Sequence, residues 1–252
     1  MQYASSAAHI AKVGQPIGMM YGALTDGLYQ YEDFRKGSDG SWILRDDVVS
    51  QSTHANRKGV FPGYQKFKDL NGDLQITQED LTIIGNPNPD FTGGITNTFR
   101  FYNFDMSLFF TFSYGNDILN MNRYYLEEGR SLSSNQFASY ADRWTVDNPN
   151  GKLPRARSAN NTAWGSDRYV EDGSYLRLKN LNIGYTLPVQ VSQRFFVSNM
   201  RIYFSAQNLF TVTGYSGQDP TVSTMSNART PGYDYSAYPV PRTFIFGAQI
   251  SF

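Results

Sequence analysis

Apolar and polar residues alternate with a period of two at the end of the chain, where the last eleven residues read RTFIFGAQISF. This alternation predicts a β-strand with one apolar and one polar face, because successive side chains of a strand point to opposite sides. Only Ile245 interrupts the polar face. The apolar face would carry Phe244, Phe246, Ala248, Ile250 and Phe252.

The same period occurs on both sides of Tyr102 and Asn103 and predicts a hairpin. Residues 95–101 form the first alternating segment and residues 104–113 the second. Two strands that are separated by two residues are expected to pair in antiparallel fashion. One face of the second strand would carry Phe104, Met106, Leu108, Phe110 and Phe112.

Two further strands are predicted at residues 175–187 and 201–213. In the first, the apolar positions change parity near Asn180, which predicts a β-bulge or a change of contact at that point. Pro188 ends this strand, because proline cannot donate to a strand ladder. A less regular strand is expected near residues 18–31.

Long polar segments separate these strands, at residues 32–89, 114–172 and 214–241. Connections of this length are uncommon in compact domains and are usually functional. Within the second of them, residues 135–144 are expected to form a short helix. Tight turns on one side and long connections on the other are typical of outer-membrane β-barrels.

The composition supports a membrane barrel. The chain of 252 residues holds 18 Tyr, 18 Phe and 3 Trp, yet only 17% of its residues are charged and its mean hydropathy is −0.46. Strands that face lipid on one side and a polar lumen on the other, with aromatic girdles, have this composition. A terminal Phe on the last strand also matches the assembly signal of bacterial outer-membrane barrels. The alternative is a secreted β-sandwich that binds carbohydrate.

Charge and cysteine content exclude several functions. With 22 basic and 22 acidic residues the formal net charge is zero, so no general attraction to nucleic acid is expected. The chain has no Cys, which excludes disulfides, thiolate nucleophiles and Cys-bound zinc. The first residues, MQYASSAAHIAKVG, lack the pattern of a signal peptide.

One stretch, residues 69–80, has the spacing of a calcium-binding loop. Oxygen ligands stand at its positions 1, 3, 5, 7 and 12, where position 7 would use its backbone carbonyl. Leu74 stands at position 6, where the loop usually needs Gly. The alternative is an Asx turn that caps a short helix at the end of the stretch. The candidate Ca²⁺ ligands are Asp69, Asn71, Asp73, Gln75 and Asp80.

No catalytic constellation stands out, so we do not expect an enzyme. No phosphate-binding or nucleophile motif occurs, and solvated loops or ordinary packing explain the few candidate groups. These candidates are the adjacent carboxylates Asp46-Asp47 and Glu127-Glu128 and the histidines His9 and His54.

Aromatic residues also occur in the polar segments. Their possible roles are to stack on sugar rings, to grip peptides, to line the membrane interface or to contact another subunit, and most are expected to serve in the interface belt or in loop packing. They are Tyr124, Tyr125, Trp144, Trp164, Tyr215, Tyr233, Tyr235 and Tyr238.

Seven segments, in order along the chain, resemble the C-terminal quarter of SusC-like (SusC/RagA) TonB-dependent outer-membrane transporters. Together they span nearly the whole chain, and their order makes the resemblance specific. The segments are GQPIG (14–18) with YG and DG (21–27), PG with KDLNGD (62–73), IGNPNPDFTGG (84–94), NFD with SYGND (103–117), DGSYLRLKNL with GYTLP (172–188), SAQNLF with G and DP (205–220), and YPVPRTF (238–244).

The resemblance implies an all-β fold, the C-terminal portion of a transmembrane antiparallel β-barrel of 22 strands with long extracellular loops that contain short helices. Residues 1–252 would form one incomplete barrel segment, while the plug and the earlier strands lie outside it. The family members lie in the outer membrane of Gram-negative bacteria and import oligosaccharides or peptides. They draw energy from TonB and work with a SusD-like lipoprotein lid.

Two other functions stay open at this point. One is a secreted or surface β-rich module that binds glycans and holds one calcium ion. The other is a small autonomous eight-stranded barrel with a structural role. Behaviour in detergent would distinguish a membrane protein from a soluble module.

Overall fold

A computed structural model describes residues 2–6, 8–51, 57, 59–129, 135–156, 165–225 and 227–252, with backbone only for residues 2–6. Among these residues, no helix is long and apolar enough to cross a membrane. The chain divides into two compact units. The sheet unit comprises Pro89–Asn116, Asp172–Thr221 and Ala237–Phe252, and the loop unit comprises Met1–Asn88, Asp117–Glu171 and Val222–Ser236.

The described residues form strands and two short α-helices in the following chain order. The strands are β1 (Gln2–Ser6), β2 (His9–Lys12), β3 (Met19–Ala23), β4 (Thr25–Leu28), β5 (Phe34–Lys36), β6 (Trp42–Leu44), β7 (Gln65–Phe67), β8 (Leu81–Gly85), β9 (Phe91–Phe101), β10 (Phe104–Tyr114), β11 (Asp117–Asn120), β12 (Val170–Asp172), β13 (Tyr175–Thr186), β14 (Asn199–Thr213), β15 (Tyr233–Asp234) and β16 (Thr243–Ser251). The helices are α1 (Met121–Leu126) and α2 (Val189–Ser192).

The sheet unit is one antiparallel sheet in the order β16-β14-β13-β10-β9. Its five strands are those predicted from the alternation, with ends that differ by at most four residues. The hairpin turn at Tyr102 and Asn103 is confirmed, and the pairing of Phe104 with Phe101 fixes its register. Chain neighbours β13 and β14 also pair, although 12 residues connect them.

The change of parity in β13 is a β-bulge, as one of the two sequence interpretations predicted. Opposite β10, Phe109 pairs with Asn180 and Phe110 pairs with Leu178, so Lys179 is the extra residue. Because side chains alternate strictly, one inserted residue restores the apolar positions beyond it to the original face.

The loop unit corrects the prediction that residues 32–89 are one long polar connection. This stretch contains four strands, β5 to β8, and the unit has its own apolar cores. Strands of three residues are too short to show a period in sequence, which is why alternation missed them. In the predicted helix at 135–144 the structure has a 3₁₀ helix, Ala138–Asp142. The largest core cluster comprises Tyr29, Phe34, Leu44, Val60 and Tyr64.

The four-stranded sheet β1-β2-β3-β8 of the loop unit contains the first part of the weak strand expected near residues 18–31, and the second part, β4, pairs with β7 in a separate sheet. That strand is split into β3 and β4 at Leu24. A second cluster packs Met20 and Leu119, which are fully buried, with Ala8 and Tyr169.

Candidate functional site

The sheet unit has two chemically different faces. Cross-strand partners in an antiparallel sheet share a face, and the register aligns the apolar positions of all five strands. Leu178 is buried on this face, but most of its large apolar side chains are at least a third exposed. The exposed ones are Phe91, Ile95, Phe99, Phe101, Phe104, Tyr114, Leu176, Ile183, Ile202, Phe210, Val212, Phe244, Phe246 and Ile250. A continuous exposed apolar surface of this kind is not stable in water and indicates contact with lipid or protein.

The opposite face carries polar and charged side chains. Arg201 of β14 reaches over β13 to Asp105 of β10, with Nε–Oδ1 and Nη2–Oδ2 distances of 3.1 and 2.5 Å. Gly184 lies between them on β13, and a Cβ there would overlap with the Arg201 guanidinium. Glycine therefore allows a bidentate ion pair to span three strands. The sequence placed Asp105 on the polar face but gave no sign of its partner.

A second ion pair connects this sheet to the segment that follows β14. Arg177 Nη2 lies 2.8 and 2.9 Å from the two carboxylate oxygens of Asp219, and both side chains are buried. Thr211 Oγ1 accepts from Arg177 Nε, and Thr221 donates to Asp219 from its amide and its hydroxyl. Desolvation favours the neutral acid, but hydrogen bonds from Thr221 and Arg177 outweigh it and lower the pKa of Asp219.

The predicted calcium loop is a compact turn whose carboxylates accept backbone amides. Asp69 accepts from the N–H groups of Asn71, Gly72 and Leu74. Burial favours the neutral acid of Asp69, but these amides together hold its pKa below the ordinary value. Leu74 has φ 62°, so the residue that replaces the usual Gly adopts the left-handed conformation that the loop requires.

Asp80, the last candidate ligand, is fully buried and accepts from two backbone amides. Its Oδ1 lies 2.8 Å from Leu70 N and its Oδ2 lies 2.7 Å from Thr77 N. Thr77 caps the 3₁₀ helix Gln78–Asp80 in a capping box. The Asx turns and the capped helix of the alternative interpretation are thus present. Within the described residues no cluster of three His, Cys, Asp or Glu side chains is arranged for a metal. Calcium binding by Asp69, Asn71, Asp73, Gln75 and Asp80 stays a prediction.

The adjacent carboxylates Glu127 and Glu128 of the loop unit lie in a buried, charge-paired environment. Glu127 and Glu128 are buried, so the expectation that they lie in a solvated loop is wrong. Arg123, one turn earlier at the start of α1, donates to Glu127 at 2.9 Å and to Glu171 at 3.2 Å. A sequence pattern of two adjacent acids does not show this burial, because one of the bases that neutralise them, Arg168, comes from a distant segment.

The remaining acid–base candidates that the structure describes are solvated or packed side chains, as expected from the sequence. Asp47 is exposed and pairs with Arg45 at 2.8 Å. His9 is buried, packs on Tyr233 and lies 3.2 Å from Pro231 O, and burial lowers its pKa. His54 lies outside the described residues.

The loop aromatics divide by exposure. Trp144 is buried, and its Nε1 donates to Gln30. Tyr215 is also buried, so neither is available to a ligand. Tyr125 and Tyr235 are about half exposed, with ring centroids 4.9 Å apart. The others are partly buried (Tyr124 and Tyr233), almost fully exposed (Tyr238) or outside the described residues (Trp164).

Comparisons with known proteins give one consistent result. The chain is 38% identical over 248 residues to TonB-dependent receptor P3 of Formosa agariphila, a match that covers 96% of the chain and 23% of the receptor. It is 26% identical over 191 residues to TonB-dependent receptor SusC of Bacteroides thetaiotaomicron, covering 74% of the chain and 17% of SusC. No protein-family model matches the chain.

Solved structures show the same fold. A chain of the RagAB peptide transporter superimposes with a TM-score of 0.71 and 24% identity, covering all of this chain and 25% of that one. The closed-closed state of the RagAB peptide importer gives a TM-score of 0.70, with the same coverage. The chain spans about a quarter of the length of the first of these receptors and of the RagAB chains.

Proposed function

We propose that the sheet unit forms part of the wall of an outer-membrane importer, because the chain is similar in sequence and fold to a segment that makes up about a quarter of the length of TonB-dependent receptors. The observation that carries the proposal is the continuous apolar face of the sheet. It crosses all five strands, and most of its large side chains are exposed.

The lengths of the strands fit a bilayer. Strands β9 and β10 have 11 residues each, and transmembrane strands need about 9–11 residues at a tilt of about 45°. The apolar face would contact lipid. The polar face, with the ion pair between Asp105 and Arg201, would face the lumen, where charged groups are not in contact with hydrocarbon.

A secreted glycan-binding module is disfavoured by the same face. In water, an exposed apolar surface across five strands would drive aggregation, and soluble monomers rarely expose patches of more than a few hundred Å². The edge strands β9 and β16 would need partners as well, because the bilayer does not tolerate unpaired backbone groups. We assign these partners to the remaining barrel strands of the same receptor.

The whole receptor would import a nutrient, an oligosaccharide or a peptide, in the outer membrane of a Gram-negative bacterium. A plug and a TonB-interacting segment outside this chain would gate the lumen and supply energy. A SusD-like lipoprotein would close the outer opening. Transport, with no chemical conversion of the ligand, is the role that we propose, and the relatives' names as receptors and transporters support it.

Two neighbouring positions of β13 test the placement in the membrane. Asn182 and Ile183 are both exposed and lie on opposite faces of an interior strand. Each is replaced by Cys in the full-length receptor, labelled with a nitroxide and reconstituted in lipid nanodiscs. The label at Ile183 should collide more with O₂, which concentrates in lipid, than with the polar nickel complex NiEDDA. The label at Asn182 should not show this preference. A preference for NiEDDA at Ile183 contradicts the proposal.

Uptake measurements test the substrate class. A strain without the receptor is complemented with the wild-type gene, and the uptake of fluorescent oligosaccharides and of fluorescent peptides is compared. Import of one class should depend on the gene. Uptake of both at the level of the deletion strain would contradict a role in their import.

A further inference from the structure

The connection between β13 and β14 presents apolar side chains outward. It contains α2 (Val189–Ser192) followed by a 3₁₀ helix, Gln193–Phe195. Within this connection, Ser192 and Val197 are buried. The outward side chains are Val189, Val191, Phe195 and Phe196, of which Phe196 is 93% exposed.

A turn that is surrounded by water normally carries polar residues. Residues 189–196 read VQVSQRFF, with one charged residue, Arg194, which is exposed. The exposure does not come from an unpaired edge of the sheet, because β13 and β14 each have neighbours on both sides. The apolar surface of this connection therefore requires another explanation.

The backbone holds Phe196 in place. Its φ is 60°, in the left-handed region that few bulky residues adopt. Phe196 N donates to Gln193 O at 3.1 Å, and Val197 N donates to Ser192 O at 3.3 Å. These bonds fix the end of the helical turn, so the phenyl ring is presented outward by an ordered segment.

The connection lies at one edge formed by the ends of the strands, and this edge also carries exposed aromatic residues of other strands. Antiparallel pairing brings the start of β10, the end of β13, the start of β14 and the end of β16 to the same edge. Phe104 and Tyr185 contact each other there, with centroids 4.5 Å apart. The exposed aromatics at this edge are Phe101, Tyr102, Phe104 and Phe252.

We propose that residues 189–196 insert into the lipid headgroup region of the bilayer leaflet at this edge, as an interfacial anchor of the barrel wall. Aromatic and aliphatic side chains next to a basic residue suit this region, where rings lie at headgroup depth and a guanidinium pairs with lipid phosphate. The anchor lies at the strand ends where Phe101 and Phe104 of the apolar face are exposed, and the inference rests on the proposed membrane location of that face.

Spin labels at Phe196 and, separately, at Phe195 test the anchor in the full-length receptor in nanodiscs that contain anionic lipid. Both residues are replaced by Cys, and the collision rates with O₂ and NiEDDA are measured. Asn182, an exposed residue on the polar face of the same sheet unit, is the control and should not show a preference for O₂. The anchor predicts a preference for O₂ at both Phe positions, smaller than the preference at Ile183.

Each other result overturns the anchor. A preference for NiEDDA at both positions means that the connection lies in water, and low collision rates with both reagents mean that another part of the receptor covers it. If Ile183 retains its preference for O₂ in these cases, only the anchor fails. If Ile183 also favours NiEDDA, the proposed membrane location fails.

Discussion

Leu108 lies near the middle of β10 on the apolar face, so an arginine at this position would direct its charge into the hydrocarbon. Phe104, at one end of the strand, lies four positions before it, and Tyr114, at the other end, lies six positions after it. With a rise of ~3.4 Å per residue and a tilt of ~40°, the strand spans about 26 Å along the membrane normal. Leu108 is then only about 3 Å from the midplane. We expect Leu108→Arg to destabilise the folded receptor by about 2–4 kcal/mol.

The two control substitutions share the same new side chain. Ser107→Arg places the charge on the polar face, and Phe104→Arg places it at the edge of the apolar band, where the cost falls to about 0–1 kcal/mol. Guanidinium unfolding of the full-length receptor in lipid vesicles, followed by tryptophan fluorescence, measures the three variants. A loss of 2–4 kcal/mol changes the folding equilibrium by about 30- to 1,000-fold. If Ser107→Arg destabilises the receptor as much as Leu108→Arg, the assignment of the faces is wrong.

Four further predictions concern the ion pairs, the loop turn and calcium binding. Gly184→Ala should displace the Arg201 guanidinium and lower the free energy of unfolding by at most about 1 kcal/mol. Combining it with Arg201→Met should lower this free energy no further than Arg201→Met alone. Additive losses would contradict the contact between the two residues. Because the pKa of Asp219 is lowered in the folded protein, its pairing with Arg177 is complete above about pH 4 and is lost as the pH falls through the folded-state pKa. The free energy of unfolding of Arg177→Met should therefore depend less on acid pH than that of the wild type. An equal dependence would contradict the pair. Asp80→Ala removes the acceptor of two backbone amides, at about 1.5–3 kcal/mol for each, and should increase hydrogen exchange in residues 69–80 more than Asp80→Asn does. In the wild-type loop, calcium should slow this exchange and a chelator should reverse the effect, and no change with either would remove the calcium site.

The sheet could be predicted because long strands repeat their pattern. Each of the five strands has at least nine residues, so the alternation of apolar positions is statistically clear and identifies one face. Even the β-bulge at Lys179 left a trace, the change of parity near Asn180. Seven ordered segments then related the chain to receptors of known fold.

The loop unit could not be predicted in the same way. Its strands of two to five residues show no period, and its cores join segments that are far apart in sequence, as in the packing of Met20 with Leu119. Arg177 and Asp219, or Asp105 and Arg201, are ordinary charged residues until the fold brings them together. Gly184 is the one local feature that fits the close approach of another group to the strand, but it does not identify Arg201 as the partner of Asp105. Nothing comparable marked the burial of Glu127 and Glu128.

The unequal connections of the sheet have a consequence for folding and evolution. The hairpin of β9 and β10 closes over two residues, whereas roughly 60 residues separate β10 from β13, a difference of about 3 kcal/mol in closure entropy. The two hairpins, β9-β10 and β13-β14, should therefore form early and dock late. For a connection that is already long, doubling its length adds only about 0.6 kcal/mol to the closure cost. Lineages of such receptors can thus rebuild the long connections freely while the strand register of the wall stays unchanged.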